Sequence, residues 1–240
     1  MKYKYLAQSK VGLKRSDNED YVEVFDMGEG LLAVVCDGLG GNKAGDIASK
    51  LAVETIAECF RDYTDFDYLE RIRIAIQEAN KKVIEESNKD FDLKGMATTA
   101  EVLFVTDDNA YWGHVGDSRI YYCKNSKLKQ LSKDHSLVQK LVDEGYLTLK
   151  EAENHPNKNI IMRALGDNLD LEVDLSKLKI GSGEEKFFLC TDGVTTVLSD
   201  EKIEELLKND SLTEIEAEIS KLVEDGGAPD NYSFVVISSK

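Results

Sequence analysis

The sequence predicts an α+β protein built in layers. Its strand-like runs follow one another as meanders joined by short turns, as at Asp107-Asp108-Asn109 and Lys124-Asn125-Ser126. Its helical stretches come in blocks between those meanders rather than after every strand. That order is not the regular βα alternation of a parallel sheet, and it suits antiparallel sheets with helices grouped separately.

Residues 2–9 alternate loosely and predict an edge strand. Residues 20–27 and 31–37 predict a hairpin, with Met27-Gly28-Glu29-Gly30 as its turn. From Ala44 to about Phe60, Ile47, Leu51, Ile56 and small neighbours recur at helical spacing, and a second helix fits Tyr68 to about Ser87 on Leu69, Ile72, Ile76, Val83 and Ile84. Strands return at 97–106, 109–116, 118–123 and 127–131. Two short helices fit 136–145 and 148–153, the second opened by a capping box of Thr148 and Glu151. The stretch 154–170 is polar and irregular and predicts a mobile surface flap. Strands follow at 170–175 and 185–191, then helices at 200–208 and 212–224 behind the capping residues Ser199 and Ser211 or Thr213. A strand at 231–238 closes the chain, and no repeat or low-complexity linker divides its 240 residues, which favours one domain.

The hydrophobic fraction of 42% supports a substantial core, and the net charge of −16 argues against nucleic acid and anionic membranes as partners. An acidic surface that merely keeps the protein soluble accounts for that charge equally well. The chain opens Met-Lys-Tyr-Lys-Tyr without an apolar signal region and contains no membrane-length apolar run. Cys36, Cys59, Cys123 and Cys190 show no paired spacing, so the expectation is a cytoplasmic protein with reduced cysteines in its core. Cys190 precedes Asp192 by two, so on a strand both would face the same side, although core packing is the favoured role for the thiol. No heptad stripe or long exposed apolar helix asks for an oligomer, and a monomer is expected.

Four acidic stops carry the chemistry. Asp37, Asp117 and Asp192 each end an apolar run, and Asp230 precedes one. A carboxylate at a buried strand end is costly unless something positive neutralises it. Hard divalent cations are the simplest shared counter-charge, because Mg²⁺ and Mn²⁺ prefer carboxylate, carbonyl and water oxygens. Asp37-Gly38 leaves its strand into a glycine-rich turn, where Gly38 can offer its carbonyl to the cation that Asp37 ligates. Two metals bridged by one carboxylate can activate water toward phosphorus. The chain shows no nucleophile elbow, P-loop lysine motif or Cys-x₅-Arg signature that would supply another nucleophile. Arg15, in Arg15-Ser16-Asp17-Asn18-Glu19-Asp20, suits a bidentate clamp on phosphate oxygens.

Taken together, these motifs resemble the metal-dependent protein phosphatases, the PPM or type 2C serine/threonine phosphatases, above all their compact bacterial members. The resemblance spans essentially the whole chain. It rests on the Arg15–Asp20 run, Asp37-Gly38-Leu39-Gly40-Gly41 with Gly45 and Ala48-Ser49, Gly95-Met96-Ala97-Thr98-Thr99, and Val115-Gly116-Asp117-Ser118-Arg119. It continues through Leu131-Ser132-Lys133-Asp134-His135-Ser136, Arg163-Ala164-Leu165-Gly166, Cys190-Thr191-Asp192-Gly193 and Pro229-Asp230-Asn231.

The resemblance implies a four-layer αββα sandwich, with two antiparallel sheets face to face and helices on both outer sides. It implies one domain over residues 1–240, with a flap subdomain at about 145–180. Two Mn²⁺ or Mg²⁺ ions would sit in a cleft at one sheet edge. Asp37 would bridge both, Gly38 would ligate through its carbonyl, and Asp192 and Asp230 would complete the first site. Asp20 would hold the second metal's water, with Glu19 as a further candidate. Asp117 would serve a third, weaker ion, and Arg15 would bind phosphate, with Arg15, Asp37 and Asp192 as the catalytic set. Substrates would be phosphorylated proteins, hydrolysed without a covalent intermediate and opposed by a serine/threonine kinase. Two other readings stand beside this one: an enzyme specific for a single regulator, and a phosphoprotein-binding module without turnover, against which the retained carboxylates argue.

Two departures leave the proton donor open. Leu39 and Asn42 stand where relatives can carry histidine. Of the three histidines, His114 reads as sheet packing and His135 as a capping or packing residue at a helix start. His155 stands beside Pro156 in the flap, and a metal-bound water is the stronger candidate acid.

Overall fold

A computed structural model describes residues 3–39, 44–181 and 183–239 of the chain. Its strands are β1 (Lys4–Lys10), β2 (Tyr21–Asp26), β3 (Leu31–Cys36), β4 (Gly38–Leu39), β5 (Ala97–Thr98), β6 (Ala100–Val105), β7 (Asn109–Val115), β8 (Arg119–Lys124), β9 (Lys127–Gln130), β10 (Asp174–Lys179), β11 (Glu185–Cys190) and β12 (Tyr232–Ser238). Its helices are α1 (Gly45–Asp62), α2 (Tyr68–Ser87), α3 (Leu137–Asp143), α4 (Leu149–Glu153), α5 (Asp192–Thr195), α6 (Asp200–Leu206) and α7 (Leu212–Asp225). One sheet has the order β1-β12-β11-β8-β9 and the other β10-β7-β6-β3-β2, and every neighbouring pair is antiparallel.

Every residue of β3, β6 and β11 is buried, so these strands are covered on both faces. Their alternation sorts the side chains into two cores. Leu31, Ala33 and Val35 of β3 face the other sheet, where they meet Leu189, Val235 and Ile237. Leu32, Val34 and Cys36 point the opposite way, into a cluster with Ala48, Ile56, Ile72 and Ile76 of α1 and α2. On the far side, Phe188, Cys190, Phe234 and Val236 pack under Ile203, Ile215 and Ile219 of α6 and α7. The result is helix, sheet, sheet, helix, the predicted four layers. Each fully buried Leu, Ile, Val or Phe contributes roughly 1.5–3 kcal/mol.

Local signals set the boundaries. Asp67, Ser136, Thr148, Ser199 and Ser211 each cap a helix through the side chain, and Thr148 and Glu151 form the full capping box. Ser136 rather than His135 is the cap of α3.

Several expectations shift. Ile47 is exposed, and the buried face of α1 runs through Ala48, Ala52, Ile56 and Phe60 instead. The strand expected at 170–175 forms at Asp174–Lys179, where Asp174 pairs with His114 and Lys179 with Asn109. Leu171 and Val173 pack against the α1–α2 cluster without a ladder. The strand expected over 97–106 breaks at Thr99, whose N–H turns to the Asp37 carbonyl. Cys190 faces the α6–α7 layer, while Asp192 has left the strand and opens α5, so the two do not share a side. No helix among the described residues is long and apolar enough to cross a membrane.

Candidate metal centre

The inward-facing rows that build the sheet–sheet core turn polar at one end of the sandwich. Continuing the Leu31, Ala33, Val35 row by two residues reaches Asp37, and stepping back from Val24 and Val22 reaches Asp20. The rows of β11 and β12 run out into Thr191, Ser233 and Asn231 in the same way. Strand periodicity thus delivers carboxylates from separate segments to one edge.

The backbone at Asp37 is fixed independently of its side chain. Its N–H donates to Thr99 Oγ1 at 2.9 Å, and its carbonyl accepts from Thr99 N at 2.9 Å and Thr98 Oγ1 at 2.8 Å. Thr99 Oγ1 also shares a hydrogen bond with Ser118 Oγ at 2.9 Å, which couples this turn to the residue after Asp117. Gly38 pairs with Thr98 across β4 and β5 and donates its N–H to Glu19 O. A Cβ at Gly38 would stand 2.3 Å from Gly45 O and 2.4 Å from Glu19 O, so only glycine fits. Gly193 is equally confined, with Asn231 O at 1.9 Å from its would-be Cβ. Gly40, Gly41 and Asn42 lie outside the described residues.

Asp20 accepts from Thr191 Oγ1 at 2.9 Å, and the same hydroxyl accepts from Ser233 N at 3.0 Å. Asp192 starts α5 behind Thr191. Arg15 donates to Asp230 Oδ2 at 2.8 Å, and its side chain is 47% exposed. The structure therefore brings Arg15, Asp20, Asp37, Gly38, Asp117, Asp192 and Asp230 to one region.

Burial and like charge dominate the electrostatics. Desolvation pushes Asp37 well above the ordinary carboxylate range, and Asp20, Asp192, Asp117 and Asp230 push it further. Asp37 still keeps some accessible surface, which fits a side chain at the floor of a cleft, crowded by protein yet open on one side. Burial also raises Asp20 to about 7 and Asp117 to about 7, each with Asp192 adding to the effect. Asp192 rises to about 6 through burial and Asp230, with an Asp37 hydrogen bond pulling the other way.

These residues fit divalent cations. The donors are hard oxygens, they repel one another, and Asp117 keeps Oδ1 buried without any hydrogen-bond partner. Among the described residues, no three acidic, histidine or cysteine side chains stand in finished ligand geometry. Thr191 and Arg15 hold Asp20 and Asp230 to partners of their own instead.

A pH dependence of stability follows. Asp20, Asp117 and Asp192 hold protons more tightly folded than unfolded, where carboxylates titrate near about 4. Their contribution is full below that value and is lost as pH rises through 6 to 7. Glu101, raised by burial to about 7, acts in the same direction. His135, lowered by burial to about 4, loses stability below about 6.5 and offsets part of the gain at pH 5. Surface carboxylates held low, such as Asp143 beside Lys133, act at lower pH. In EDTA, scanning calorimetry is expected to give a higher melting temperature at pH 5 than at pH 8, by roughly 5 °C or more. A flat or rising trend across that window contradicts the charge-crowding account.

Sequence reasoning missed Asn231 as more than a neighbour of Asp230. Its Nδ2 donates to Val11 O and Asp17 O, both at 2.8 Å, and its Oδ1 accepts from Glu19 N at 2.9 Å. It clamps the segment carrying Arg15 and Asp20 to the start of β12. Thr98, Thr99 and Thr191 were likewise unassigned positioning groups. His114 and His155 have partners of their own, whereas His135 Nδ1 accepts from the N–H of Gly116 at 3.1 Å, one residue before Asp117. Buried His114 joins Glu101 at 2.6 Å and Lys133 O at 2.8 Å, and half-buried His135 stacks on it with centroids 4.3 Å apart. His155 Nδ1 accepts from Asn157 N at 3.1 Å.

Residues 13–227 match the family described as Protein phosphatase 2C. The chain belongs to the protein phosphatase 2C family. It is 36% identical over 233 residues to the serine/threonine protein phosphatase PstP of Mycobacterium tuberculosis, covering 97% of this chain but 44% of that protein, so it spans under half of that relative's length. It is 34% identical over 233 residues to the protein phosphatase PhpP of Streptococcus pneumoniae, covering 95% of this chain and 94% of that protein. The crystal structure of the catalytic domain of PstP in complex with 2 manganese ions superposes with a TM-score of 0.86 at 34% identity, covering 98% of this chain and 97% of that one. The two-sheet fold is thus that of the family.

Proposed function

We propose that this protein is a metal-dependent phosphoprotein phosphatase that hydrolyses phosphoserine and phosphothreonine esters. The observation that carries this reading is the convergence of Asp20, Asp37, Asp117, Asp192 and Asp230 beside a half-exposed Arg15 at one end of a protein phosphatase 2C fold. Asp37, the Gly38 carbonyl, Asp192 and Asp230 would hold one divalent ion, Asp37 a second whose water Asp20 would hold, and Asp117 a weaker third, with Mn²⁺ or Mg²⁺ suited to the oxygen donors. When bound, the ions would supply charge neutralisation and an activated water as the nucleophile, so that no covalent intermediate is required.

The chain's own residues do the positioning. Arg15 spends one N–H on Asp230 and has the rest of its fork for phosphate oxygens. Asn231 holds the Arg15 segment in place, and Thr98 and Thr99 fix the Asp37 turn. In this reading the departing alkoxide takes its proton from water, and no histidine is among the described residues lining the cleft beside Asp117 and Asp192. Residues 145–180 act as a flap of the one catalytic domain. The implied setting is a cytoplasmic monomer opposed by a serine/threonine kinase.

Mn²⁺-dependent hydrolysis of p-nitrophenyl phosphate and of a phosphothreonine peptide, abolished by EDTA, is the expected result. Folded protein that turns over neither in saturating Mn²⁺ is a binding module instead. Arg15→Ala should raise KM about tenfold or more with a smaller change in kcat. An unchanged KM removes Arg15 from phosphate binding.

A further inference from the structure

A cleft of about 600 Å³ opens beside Asp117 and Asp192 and is bounded by two walls. The α3–α4 wall presents Val138, Leu149, Ala152 and Glu153, and the entry to α6 presents Asp200 and Glu201. Among its described lining residues the only cations are Arg119 and Lys158. Arg119 is committed, since its Nε and Nη2 donate to Asp134 at 3.0 and 2.7 Å and its Nη1 stands 3.9 Å from Asp200, which also accepts from the Tyr121 hydroxyl at 2.9 Å. Asp117 and Asp192 belong to the metal ring and join the cleft to it. That leaves Glu153 and Glu201 against Lys158, in a protein of net charge −16.

We propose that this cleft seats a lysine or arginine side chain flanking the phosphorylated residue, so that the site selects phosphopeptides with a basic neighbour. The proposal rests on the phosphatase reading above, since the cleft is continuous with the carboxylate ring. The aliphatic stem of such a side chain lies on Val138, Leu149 and Ala152, and its charged head meets Glu153 and Glu201. A glutamate in the same place meets like charge, in a concavity whose walls concentrate the field.

The test uses two phosphothreonine peptides of equal length, one flanked by lysine and arginine and one by glutamate. With Mn²⁺ at low salt, kcat/KM is expected to favour the basic peptide by about tenfold or more, and the gap should narrow at high salt. In the Glu153→Gln/Glu201→Gln double variant the gap should close to about twofold while p-nitrophenyl phosphate turnover holds, because neither residue is in the ring. Glu153→Lys, a change at an exposed position, should shift preference toward the acidic peptide and guards against a folding defect in the double variant. Equal rates on both peptides, or a preference that survives these substitutions, overturn the proposal. Fluorescence anisotropy of the labelled peptides separates the two readings. Glu153- and Glu201-dependent binding of the basic peptide without any turnover keeps the cleft and removes the phosphatase. Turnover of p-nitrophenyl phosphate with no discrimination between peptides does the reverse.

Discussion

Asp37→Asn is expected to abolish Mn²⁺-supported turnover, by about 1,000-fold or more in kcat/KM, while raising the melting temperature of the metal-free protein. The two effects share one cause. Asp37 sits among Asp20, Asp117, Asp192 and Asp230, and each of them raises its pKa. Its backbone is pinned by Thr98 and Thr99, so the amide occupies the same place as the carboxylate it replaces. A pair of like charges a few ångströms apart costs on the order of 1–4 kcal/mol at the effective dielectric of a partly buried site. Removing the central one relieves several such pairs, and about 1 kcal/mol moves the melting temperature of a domain this size by roughly 2–4 °C. The Mn²⁺-induced rise in melting temperature, strong in the native chain, should largely vanish in the variant. Thermal scans with EDTA and with Mn²⁺ read both arms. A variant that melts lower without metal contradicts charge crowding, and one that keeps its Mn²⁺ response and turnover removes Asp37 from the metal ring.

What the sequence revealed and what it concealed divide along physical lines. The 27–30 hairpin turn and the helix at Tyr68–Ser87 were legible because local periodicity and turn chemistry determine them. The carboxylates at 37, 117, 192 and 230 were legible because charge at a buried strand end is costly in any fold. The position of β10 was not: Asp174-Leu175-Ser176-Lys177-Leu178-Lys179 is a mostly exposed edge strand, and only pairing with β7 places it. Ile47 misled because α1 packs through small residues, Ala48 and Ala52, that carry little hydrophobic signal. Asp192 looked like a strand end, and the turn into α5 depends on the close approach of Gly193 to Asn231, far along the chain. The bonds of Asn231 span more than two hundred residues, beyond the reach of any local pattern.

Asn231→Ala should therefore be the most destabilising single change at the site, by about 3 kcal/mol or more, lowering the melting temperature by roughly 6–12 °C. Asn231 is 4% exposed, and its truncation strands the Glu19 N–H and the carbonyls of Val11 and Asp17 with little water to replace it. Each buried group left without a partner costs about 1–3 kcal/mol. The loss also frees the Arg15 segment, so KM for a phosphopeptide should rise more than kcat falls. Asn231→Asp separates the clamp from mere bulk. It keeps an acceptor for Glu19 N, loses both donated bonds, and adds a carboxylate beside Asp230. It should melt no higher than the alanine variant in EDTA and recover part of the difference in Mn²⁺, because added cation offsets the new charge. An alanine variant within about 1 °C of the native melting temperature, with KM unchanged, would show that the N-terminal segment holds its place without this side chain.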